Sequence, residues 1–302
     1  MATDGARILL LGSNGQVGHE LLRTLAPLGE VHATDRAALD LSDESAIRAL
    51  VRQVRPGCIV NAAAYTAVDK AESETGLAFA INARAPGVLA QEAAALGAWL
   101  IHYSTDYVFA GDKPQGAYLE TDAIGPINVY GRSKLAGEAA IAAVGGAHII
   151  LRTSWVYGAH GANFVKTILR LAREREKLSI VADQIGAPTS SNLIADITAQ
   201  LIPQLPDDGE DAAISGIYHL QGGGEASWYE FAGAIVEQLR GADAASVRCR
   251  EVLPIPASAY PTPAQRPANS RLDCGKIART FGVRLPHWRD DLALRFGEIL
   301  RG

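Results

Sequence analysis

The chain has 302 residues, of which 48% are hydrophobic and 20% charged, with a net charge of −5. This length can form one large domain or two lobes that share a cleft. The acidic balance excludes the basic surface that sequence-independent nucleic-acid binding requires, so we expect no nucleic-acid partner. No run reaches the ~18 consecutive apolar residues of a membrane span, so we expect no membrane association.

The cysteines and the N-terminal segment bear on the cellular setting. Three widely spaced cysteines without a CxxC pair fit a reduced, cytoplasmic protein that has no disulfide frame and no zinc site. The first residues lead directly into an apolar strand-like run and show no small-residue cleavage site. We therefore expect no signal peptide.

The first half alternates short apolar runs with amphipathic segments, which predicts an α/β fold with a Rossmann-type doubly wound parallel sheet. The predicted strands are 7–11, 31–34, 58–64, 99–103 and 148–153. The predicted helices are 16–25, a helix capped by Ser42 and ending at Val54, 71–96 bent or divided at Pro86, and 128–143.

The second half is less regular. It predicts helices at 163–175 and 193–201, and a strand at 216–220 that returns to the first sheet. Prolines at 254–256 and 261–267 predict a loop that cannot be a central strand. We expect a first domain formed by residues 1–155 plus about 189–221, and a smaller C-terminal lobe formed by about 156–188 plus 222–302.

A glycine-rich turn separates the first predicted strand from the first predicted helix, which is the context of a dinucleotide-binding turn. Its three glycines permit a tight turn, close approach of a pyrophosphate and close packing of helix on strand, while the positive helix end faces the phosphates. Three glycines in seven residues also occur in plain loops, but the flanking elements favour nucleotide binding. The expected cofactor-binding residues here are Gly12, Asn14, Gly15, Gln16, Val17 and Gly18.

The ends of the second and third predicted strands supply the other expected cofactor contacts. Asp35 closes the second strand, where an acid would hold the ribose hydroxyls. Arg36 follows it and could accept a 2′-phosphate instead, so the sequence leaves NADH and NADPH both open. The remaining expected contacts are Asp40, Leu41, Ala62, Ala63, Ala64 and Tyr65.

Tyr130 and Lys134 are four residues apart on a predicted helix and therefore project from one face. A lysine charge ~4 Å from the phenol, in an effective dielectric of ~20, can lower the tyrosine pKa by ~3 units and prepare it as a proton donor. Thr105 lies just past the carboxyl end of a strand, where open α/β sheets bind ligands. A YxxxK spacing also arises by chance on solvated helices. Together with the upstream glycine-rich turn, however, this arrangement favours an enzyme that transfers hydride to a carbonyl or from an alcohol.

These residues lie in segments that resemble the extended short-chain dehydrogenase/reductases and, more narrowly, the dTDP-4-dehydrorhamnose reductase family. The glycine spacing GxxGxxG is the form usual in short-chain dehydrogenase/reductases. The resemblance extends along nearly the whole chain, and its last segment lies in the predicted C-terminal lobe. The matching segments are VNAAAYTAVDKAES (60–73), HYSTDYVFAG (102–111), ETD (120–122), NVYGRSKLAGE (128–138), RTSWVYG (152–158), DQIGAPTS (183–190) and AYPTPAQRPANSRLD (259–273).

The resemblance implies NADPH- or NADH-dependent reduction of the C4 keto group of dTDP-4-dehydro-L-rhamnose, the last step of dTDP-rhamnose biosynthesis. It assigns the proton donor to Tyr130, ribose binding and lowering of the Tyr130 pKa to Lys134, and a hydrogen bond with the sugar oxygen to Thr105. The first domain would bind the cofactor and the C-terminal lobe the nucleotide sugar. The implied substrate-binding residues are Thr105, Asp106, Trp155, Arg266, Asn269 and Arg271.

For several of these residues, purely structural roles stay open. Arg266 and Arg271 could be solvated or paired with acids, Trp155 could be core, and Asp106 could cap a turn. The stretch 187–192 has no acid where some family members use a glutamate in a metal-bridged dimer. We therefore expect no metal, and either a monomer or a homodimer.

Three other activities compete with reduction of this sugar. The related 4,6-dehydratases carry Thr-Asp-Glu where this chain has Thr105-Asp106-Tyr107, and the missing second carboxylate favours reduction over dehydration. A reductase or epimerase acting on another nucleotide deoxysugar shares the same catalytic groups and stays open. A non-catalytic regulatory subunit of the same fold is a further alternative.

Overall fold

The computed structural model of the chain describes residues 7–206 and 212–301. Strands and helices alternate regularly in the first half of the chain and less regularly in the second half. The strands are β1 (Arg7–Leu11), β2 (Glu30–Thr34), β3 (Cys58–Asn61), β4 (Trp99–Thr105), β5 (His148–Thr153), β6 (Val156–Tyr157), β7 (Lys177–Val181), β8 (Ile185–Gly186), β9 (Thr189–Ser190), β10 (Gly216–His219), β11 (Ala226–Ser227) and β12 (Glu251–Ile255). The α-helices are α1 (Gln16–Leu25), α2 (Glu44–Val54), α3 (Val68–Ala71), α4 (Thr75–Phe79), α5 (Ala85–Leu96), α6 (Val129–Val144), α7 (Phe164–Glu174), α8 (Ser191–Leu201), α9 (Trp228–Asp243), α10 (Gly275–Phe281) and α11 (Trp288–Arg301).

The central element is a six-stranded parallel sheet with the order β2-β1-β3-β4-β5-β10. This confirms the predicted doubly wound α/β fold and the return of the 216–219 strand to the first sheet. The strand order reverses direction between β1 and β3, and such a switch point opens a crevice at the carboxyl ends of the strands. The glycine-rich turn that follows β1 lies at this crevice.

Several predicted boundaries in the first half shift, such as the fourth strand, which runs to Thr105, and two of them are wrong for local reasons. The third strand ends at Asn61 and not at residue 64, because its ladder closes with Ala62 N donating to Leu11 O and the chain then passes over Gly12. Helix α2 is capped by Asp43, whose carboxylate accepts from Ser45 N and Ala46 N. Ser42, the predicted cap, instead donates its hydroxyl to Asp40 at 2.8 Å.

The predicted helix 71–96, expected to be bent or divided at Pro86, is interrupted before that proline. Helices α3 and α4 are separate, and a π-helical turn at Ala80–Arg84 joins α4 to α5. Pro86 lies in the first turn of α5, where its missing N–H costs no hydrogen bond. The π-helical turn directs Asn82 into the protein, where its amide nitrogen donates to Tyr65 O and Ser133 Oγ.

The second half adds three two-stranded sheets, β6 with β9, β7 with β12 and β8 with β11. β12 corrects the predicted proline-rich loop at 254–256, because Pro254 pairs in register with Ile180. Both strands of a two-stranded sheet are edge strands, where proline is tolerated. The prediction that this segment is not a central strand is therefore confirmed.

Separate hydrophobic clusters pack on the two faces of the main sheet and in the C-terminal part. The C-terminal cluster surrounds Phe231 and Trp288, which are 0% and 1% exposed. Ile277 and Phe281 of α10 belong to the cluster on the sheet instead, so a division that follows the cores places α10 with the first domain. The predicted division into two lobes otherwise stays a proposal. Within residues 7–206 and 212–301, no helix is long and apolar enough to cross a membrane.

Candidate active site

The turn after β1 is built so closely that side chains are excluded at two of its glycines. Gly12 has a φ of +79°, and a Cβ there would lie 2.7 Å from Ala63 N; a Cβ on Gly18 would lie 2.0 Å from Gly12 O. Gly15 is the N-cap of α1 and supplies no side-chain cap, so the first turn of the helix stays free of a protein side chain. A tight glycine cradle that ends on an uncapped helix start at the switch point fits a dinucleotide pyrophosphate.

Gln16 and Asn14, both predicted to bind cofactor, already have protein partners. Gln16 Oε1 accepts from Asn163 Nδ2 at 3.0 Å, which ties the glycine-rich turn to the N-cap of α7. Asn14 is exposed and donates to Asp35 Oδ2 at 3.4 Å. Val17 packs half-buried against the core on one face of the sheet. These contacts align the turn with the end of β2.

The predicted ribose-binding pair lies at the end of β2. Asp35 Oδ1 accepts from Ala37 N and Ala38 N, so this carboxylate holds its own turn, while Arg36 is exposed beside it. Asp40 is also exposed, and hydrogen bonds from Ser42 lower its pKa. Leu41 is 8% exposed and belongs to the hydrophobic cluster that includes residues of α2 and α5. Leu41 therefore supports this corner of the site from within the core.

The segment after β3 also faces the glycine-rich turn. Ala62, Ala63 and Ala64 are half-buried, and Ala63 N donates to Asn61 Oδ1 at 3.2 Å. Tyr65 is fixed at its backbone by Asn82 and at its hydroxyl by Glu74, 2.7 Å away, whose carboxylate raises the Tyr65 pKa. Small side chains here leave room against Gly12, as the sequence predicts.

Thr105 and Tyr130 meet at the carboxyl end of β4. Burial raises the Tyr130 pKa to about 12, while the nearby Thr105 hydroxyl acts in the opposite direction. Thr105 Oγ1 also lies 3.0 Å from Asp106 Oδ1 and accepts from Tyr107 N, so it caps the short 3₁₀ turn that follows β4. Asn128 caps α6 by accepting from Gly131 N and thereby sets the position of Tyr130.

Asp106 is an acid held inside the protein. It is 3% exposed, and its Oδ2 has no hydrogen-bond partner among the described residues. Burial raises the pKa of Asp106 to about 6, while the nearby Ser270 and Thr105 hydroxyls act in the opposite direction. An acceptor buried beside Thr105 and Tyr130 is available to a ligand hydroxyl.

Lys134, predicted to lower the Tyr130 pKa, contacts β4 in this structure. Its Nζ is 3.1 Å from His102 Nε2 and donates to Tyr103 O at 2.6 Å. Burial lowers the pKa of Lys134 to about 8, with Glu138 acting in the opposite direction. The lysine is 1% exposed, and its effect on the Tyr130 pKa stays a prediction.

A buried ion pair behind Lys134 was not predicted. Glu138 on α6 accepts two hydrogen bonds from the Arg152 guanidinium, at 2.9 and 2.6 Å, and one from Ser104 Oγ at 2.5 Å. It joins α6 to β4 and β5, and both charged residues are at most 3% exposed. The sequence does give a signal for this pair, because Arg152 is a polar residue in an otherwise apolar strand. Asn61 and His102 are polar residues in apolar strands in the same way.

The residues predicted to bind substrate separate into two groups. Arg266 is close to Tyr107, whose pKa burial raises while the Arg266 charge acts in the opposite direction, and it pairs with Asp69 at 2.9 Å. Its Nη1 is buried and has no partner within the part of the chain that the structure describes. The Arg266 loop is anchored to the start of α6, because Asn128 Nδ2 donates to Gln265 O. The structure thus brings this loop to the cluster around Tyr130.

The other predicted substrate residues have structural partners. Asn269 donates to Lys113 O and Gly116 O, and its Oδ1 accepts from Arg271 N and Nε. Arg271 also pairs with the exposed Glu225 at 2.8 Å. Trp155 has a φ of +48° and stacks on Trp228 with ring centroids 3.6 Å apart. These contacts match the structural roles that the sequence left open for these residues.

No group of three or more histidine, cysteine, aspartate or glutamate side chains within residues 7–206 and 212–301 is arranged to hold a metal ion. The cysteines Cys58, Cys249 and Cys274 are all free.

The chain matches known proteins along nearly its whole length. The family model described as the RmlD substrate binding domain matches residues 6–300. The dTDP-4-dehydrorhamnose reductase of Escherichia coli (strain K12) is 48% identical over 299 residues, which are 97% of each chain. The dTDP-4-dehydrorhamnose reductase of Bacillus anthracis str. Ames, solved in complex with NADP, has a TM-score of 0.87 and 37% identity and covers 97% of this chain and 99% of its own. The Clostridium acetobutylicum structure, with a TM-score of 0.88 and 34% identity, covers 98% of this chain and 100% of its own. The chain therefore belongs to the dTDP-4-dehydrorhamnose reductase family.

Proposed function

We propose that the protein reduces the C4 keto group of dTDP-4-dehydro-L-rhamnose to give dTDP-L-rhamnose, with NADPH or NADH as the reductant. The observation that carries this proposal is that Thr105 and Tyr130 lie close together at the carboxyl edge of the sheet that also bears the glycine-rich turn. Family membership over nearly the full chain supports the choice of substrate. Tyr107, in place of a second acid after Asp106, argues against dehydration of the sugar.

When bound, the reduced nicotinamide supplies the hydride to C4. Tyr130 donates a proton to the C4 oxygen, and its raised pKa keeps that proton in place until negative charge develops on the oxygen. The Thr105 hydroxyl adds a second hydrogen bond. Because the carbonyl oxygen gains charge as the hydride arrives, both groups stabilise the transition state more than the ground state.

Residues of the cofactor cradle support either nicotinamide cofactor. Asp35 stands where its carboxylate can accept from ribose hydroxyls, although two backbone amides already occupy one of its oxygens. The exposed guanidinium of Arg36 can pair with a 2′-phosphate. Lys134 would contact the nicotinamide ribose from α6. We therefore keep both cofactors in the proposal, to be decided by direct comparison.

For the substrate, we propose that Arg266 binds the diphosphate through the donor that lacks a protein partner. Asp106 would accept from a sugar hydroxyl through Oδ2. Trp155 would flank the sugar, with Asn269 and Arg271 shaping the loop around it. A cytoplasmic location, a separate sugar-nucleotide lobe and a monomeric or homodimeric state complete the proposal, and sedimentation analysis would decide the last of these.

The test is the absorbance at 340 nm of NADH and NADPH in parallel, with enzymatically generated dTDP-4-dehydro-L-rhamnose as substrate. We expect oxidation of at least one cofactor and formation of dTDP-L-rhamnose, identified by NMR from the configuration at C4. The C4 epimer as product would instead indicate another deoxysugar pathway. Cofactor binding without any oxidation would contradict the catalytic proposal and favour a regulatory binding subunit.

A further inference from the structure

Two carboxylates at the short helix α3 contact the two halves of the candidate site. Asp69 Oδ1 accepts from Ala264 N at 3.1 Å and pairs with Arg266 Nη2 at 2.9 Å. Glu72, the residue that follows α3, accepts from Val129 N at 2.8 Å through Oε1. The partners lie 195 and 57 positions away along the chain, so both contacts depend on the folded structure. Helix α3 therefore joins the loop around Arg266 to the start of α6.

Asp69 holds the loop that carries Arg266 at two points. One point is the backbone amide of Ala264, which fixes the path of the chain two residues before the arginine. Ala264 is 1% exposed, and Thr262 Oγ1 donates to its carbonyl oxygen at 2.8 Å. The other point is the guanidinium itself. The loop thus has one defined path where it meets Asp69.

The contact with Asp69 also orients the Arg266 guanidinium. This group is planar and its five N–H donors have fixed directions, so holding Nη2 sets the direction of the others. Nη1 is buried and has no partner within the part of the chain that the structure describes. Leaving a buried donor unpaired costs free energy, and a ligand oxygen would remove that cost. The guanidinium also lies near Tyr107, whose ring contacts the edge of Tyr130.

Glu72 acts on the other half of the site. Val129 is the first residue of α6, and its N–H is one of the donors that a helix leaves without a partner inside the helix. A carboxylate at this end of a helix is also favoured by the helix dipole. Ala71 of α3 packs with Val129 in a small hydrophobic cluster, and Tyr130 packs against the same cluster. Glu72 therefore helps to fix the backbone directly before Tyr130.

We propose that Asp69 and Glu72 are positioning residues, and that α3 sets the separation between Arg266 and Tyr130. The proposal rests on the proposed function, in which Arg266 binds the diphosphate and Tyr130 gives a proton to the C4 oxygen. Diphosphate and carbonyl belong to one substrate molecule, so this separation decides whether C4 reaches the phenol. Asp69 acts through the loop and governs nucleotide affinity, whereas Glu72 acts through α6 and governs turnover.

The first test measures the binding of dTDP by isothermal titration calorimetry, which requires no turnover. Asp69→Asn keeps an acceptor for Ala264 N and removes the charge that orients Arg266. We expect the Kd for dTDP to rise about tenfold, which corresponds to the loss of about one charge-assisted hydrogen bond. Glu174→Gln is the matched control, because it removes an exposed ion pair of the same 2.9 Å length at the far end of α7 and should leave this Kd unchanged.

A double-mutant cycle tests whether Asp69 acts through Arg266. In the Arg266→Gln background, Asp69→Asn should change the Kd for dTDP by less than about twofold, because the group that it orients is already absent. An equal loss in both backgrounds would overturn the route through Arg266. Tighter binding of dTDP by Asp69→Asn alone would also overturn the proposal, because it would show that Asp69 competes with the diphosphate for the arginine.

The second test separates the two carboxylates by steady-state kinetics with the nucleotide sugar. Glu72→Ala should lower kcat about tenfold and leave the Kd for dTDP unchanged, whereas Asp69→Asn should raise KM and keep kcat within about twofold. Glu72→Gln retains an acceptor for Val129 N and should recover most of the turnover. Loss of kcat in both variants with unchanged KM would overturn the division of roles, since general damage to the fold lowers the fraction of active protein.

Hydrogen exchange provides a readout that is independent of activity. The Val129 amide should exchange faster in Glu72→Ala than in the unsubstituted protein, and unchanged exchange there would overturn the role of Glu72. If the unsubstituted protein bound dTDP but did not reduce the sugar, the proposed function would fail. The binding cycle and the exchange rates would then still decide the roles of Asp69 and Glu72.

Discussion

Tyr130 holds its proton more firmly than a free tyrosine does, since burial raises its pKa to about 12. This suits reduction, because a proton donor must be protonated when the carbonyl oxygen gains charge. From the Tyr130–Lys134 spacing we expect a nearby ammonium that lowers the phenol pKa, and that effect stays a prediction. In the structure, Lys134 Nζ donates to Tyr103 O of β4.

Tyr130→Phe should lower kcat by roughly 10²- to 10⁴-fold, the usual contribution of a positioned general acid. Cofactor affinity should change little, because the aromatic ring and its edge contact with Tyr107 are retained. The measurement is initial rate at 340 nm together with a fluorescence titration of NADPH. Tyr229→Phe on α9 serves as the control, and equal rates for the two variants would contradict the assignment of the proton donor.

The buried carboxylate of Asp106 should lower the free energy of unfolding at neutral pH. Its pKa is raised to about 6 from an ordinary value near 4, so the folded state binds the proton more tightly than the unfolded state does. The cost is absent below pH ~4 and complete above pH ~6, with an upper limit of roughly 3 kcal/mol. Asp106→Asn should therefore raise the free energy of unfolding at pH 7.5, and this gain should shrink toward pH 4.

The check on Asp106 is urea unfolding of the unsubstituted protein and the variant at pH 7.5 and 4.5. The exposed Asp112 offers a control, and Asp112→Asn should show a small difference that is the same at both pH values. A gain from Asp106→Asn that did not depend on pH would argue against a titrating buried carboxyl. Reduced turnover in the stabilised variant would fit an acid retained for substrate binding.

At the level of elements, the β1–α1 turn depends on close backbone contact. A Cβ at Gly18 would lie 2.0 Å from Gly12 O, and backbone cannot move aside as a flexible side chain does. Gly18→Ala should therefore reduce the free energy of unfolding by about 3 kcal/mol or more and weaken NADPH binding. Gly57→Ala, where no atom lies within 4 Å of the added Cβ, should stay within about 1 kcal/mol. Thermal melts with and without NADPH would distinguish these variants, and equal effects would contradict the packing argument.

The Glu138–Arg152 pair fixes α6 to β4 and β5 at a site that excludes water. Glu138→Leu or Arg152→Met alone should cost roughly 3–5 kcal/mol, because each leaves a buried charge without its partner. The double variant should cost clearly less than the sum of the two, since no lone charge then remains. Urea unfolding of all four proteins gives the coupling free energy, and additive losses would show that the pair acts only as packing.

Elements whose apolar runs are buried on both faces could be predicted from the sequence, as for β1 and β5. In the 71–96 segment Pro86 indicated a bend or a division, but the π-helical turn at Ala80–Arg84 could not be predicted, because alanine-rich composition favours helix throughout. There, the contacts of Asn82 with Tyr65 and Ser133 accompany a π-helical turn. Propensity is a weak guide where tertiary hydrogen bonds compete with it.

The candidate site was predictable where a motif is local, and not where partners meet through packing. Gly12, Gly15 and Gly18 lie in one turn, and the structure gives the turn the close contacts that the spacing predicts. His102 and Lys134 are 32 residues apart, and their contact exists only once α6 packs on β4. The sequence therefore identified Lys134 as a functional candidate but did not predict its contact with His102.

On the scale of the whole molecule, the site depends on contacts between distant parts of the chain. Asn163, the N-cap of α7, donates to Gln16 in the glycine-rich turn, and Asn192 at the start of α8 donates to the buried Glu20 of α1. The loop around Arg266 returns to the start of α6 and to Asp69. Cofactor cradle, proton donor and predicted diphosphate contact are thus fixed to one sheet edge.

The most direct measurement of the central claim follows the hydride itself. The protein is incubated with dTDP-4-dehydro-L-rhamnose and NADPH or NADH carrying deuterium at the transferable position of the nicotinamide. The account predicts one deuterium at C4 of dTDP-L-rhamnose, and loss of most labelled product with Tyr130→Phe. Product without deuterium at C4, or labelled product formed equally well by Tyr130→Phe, would contradict it.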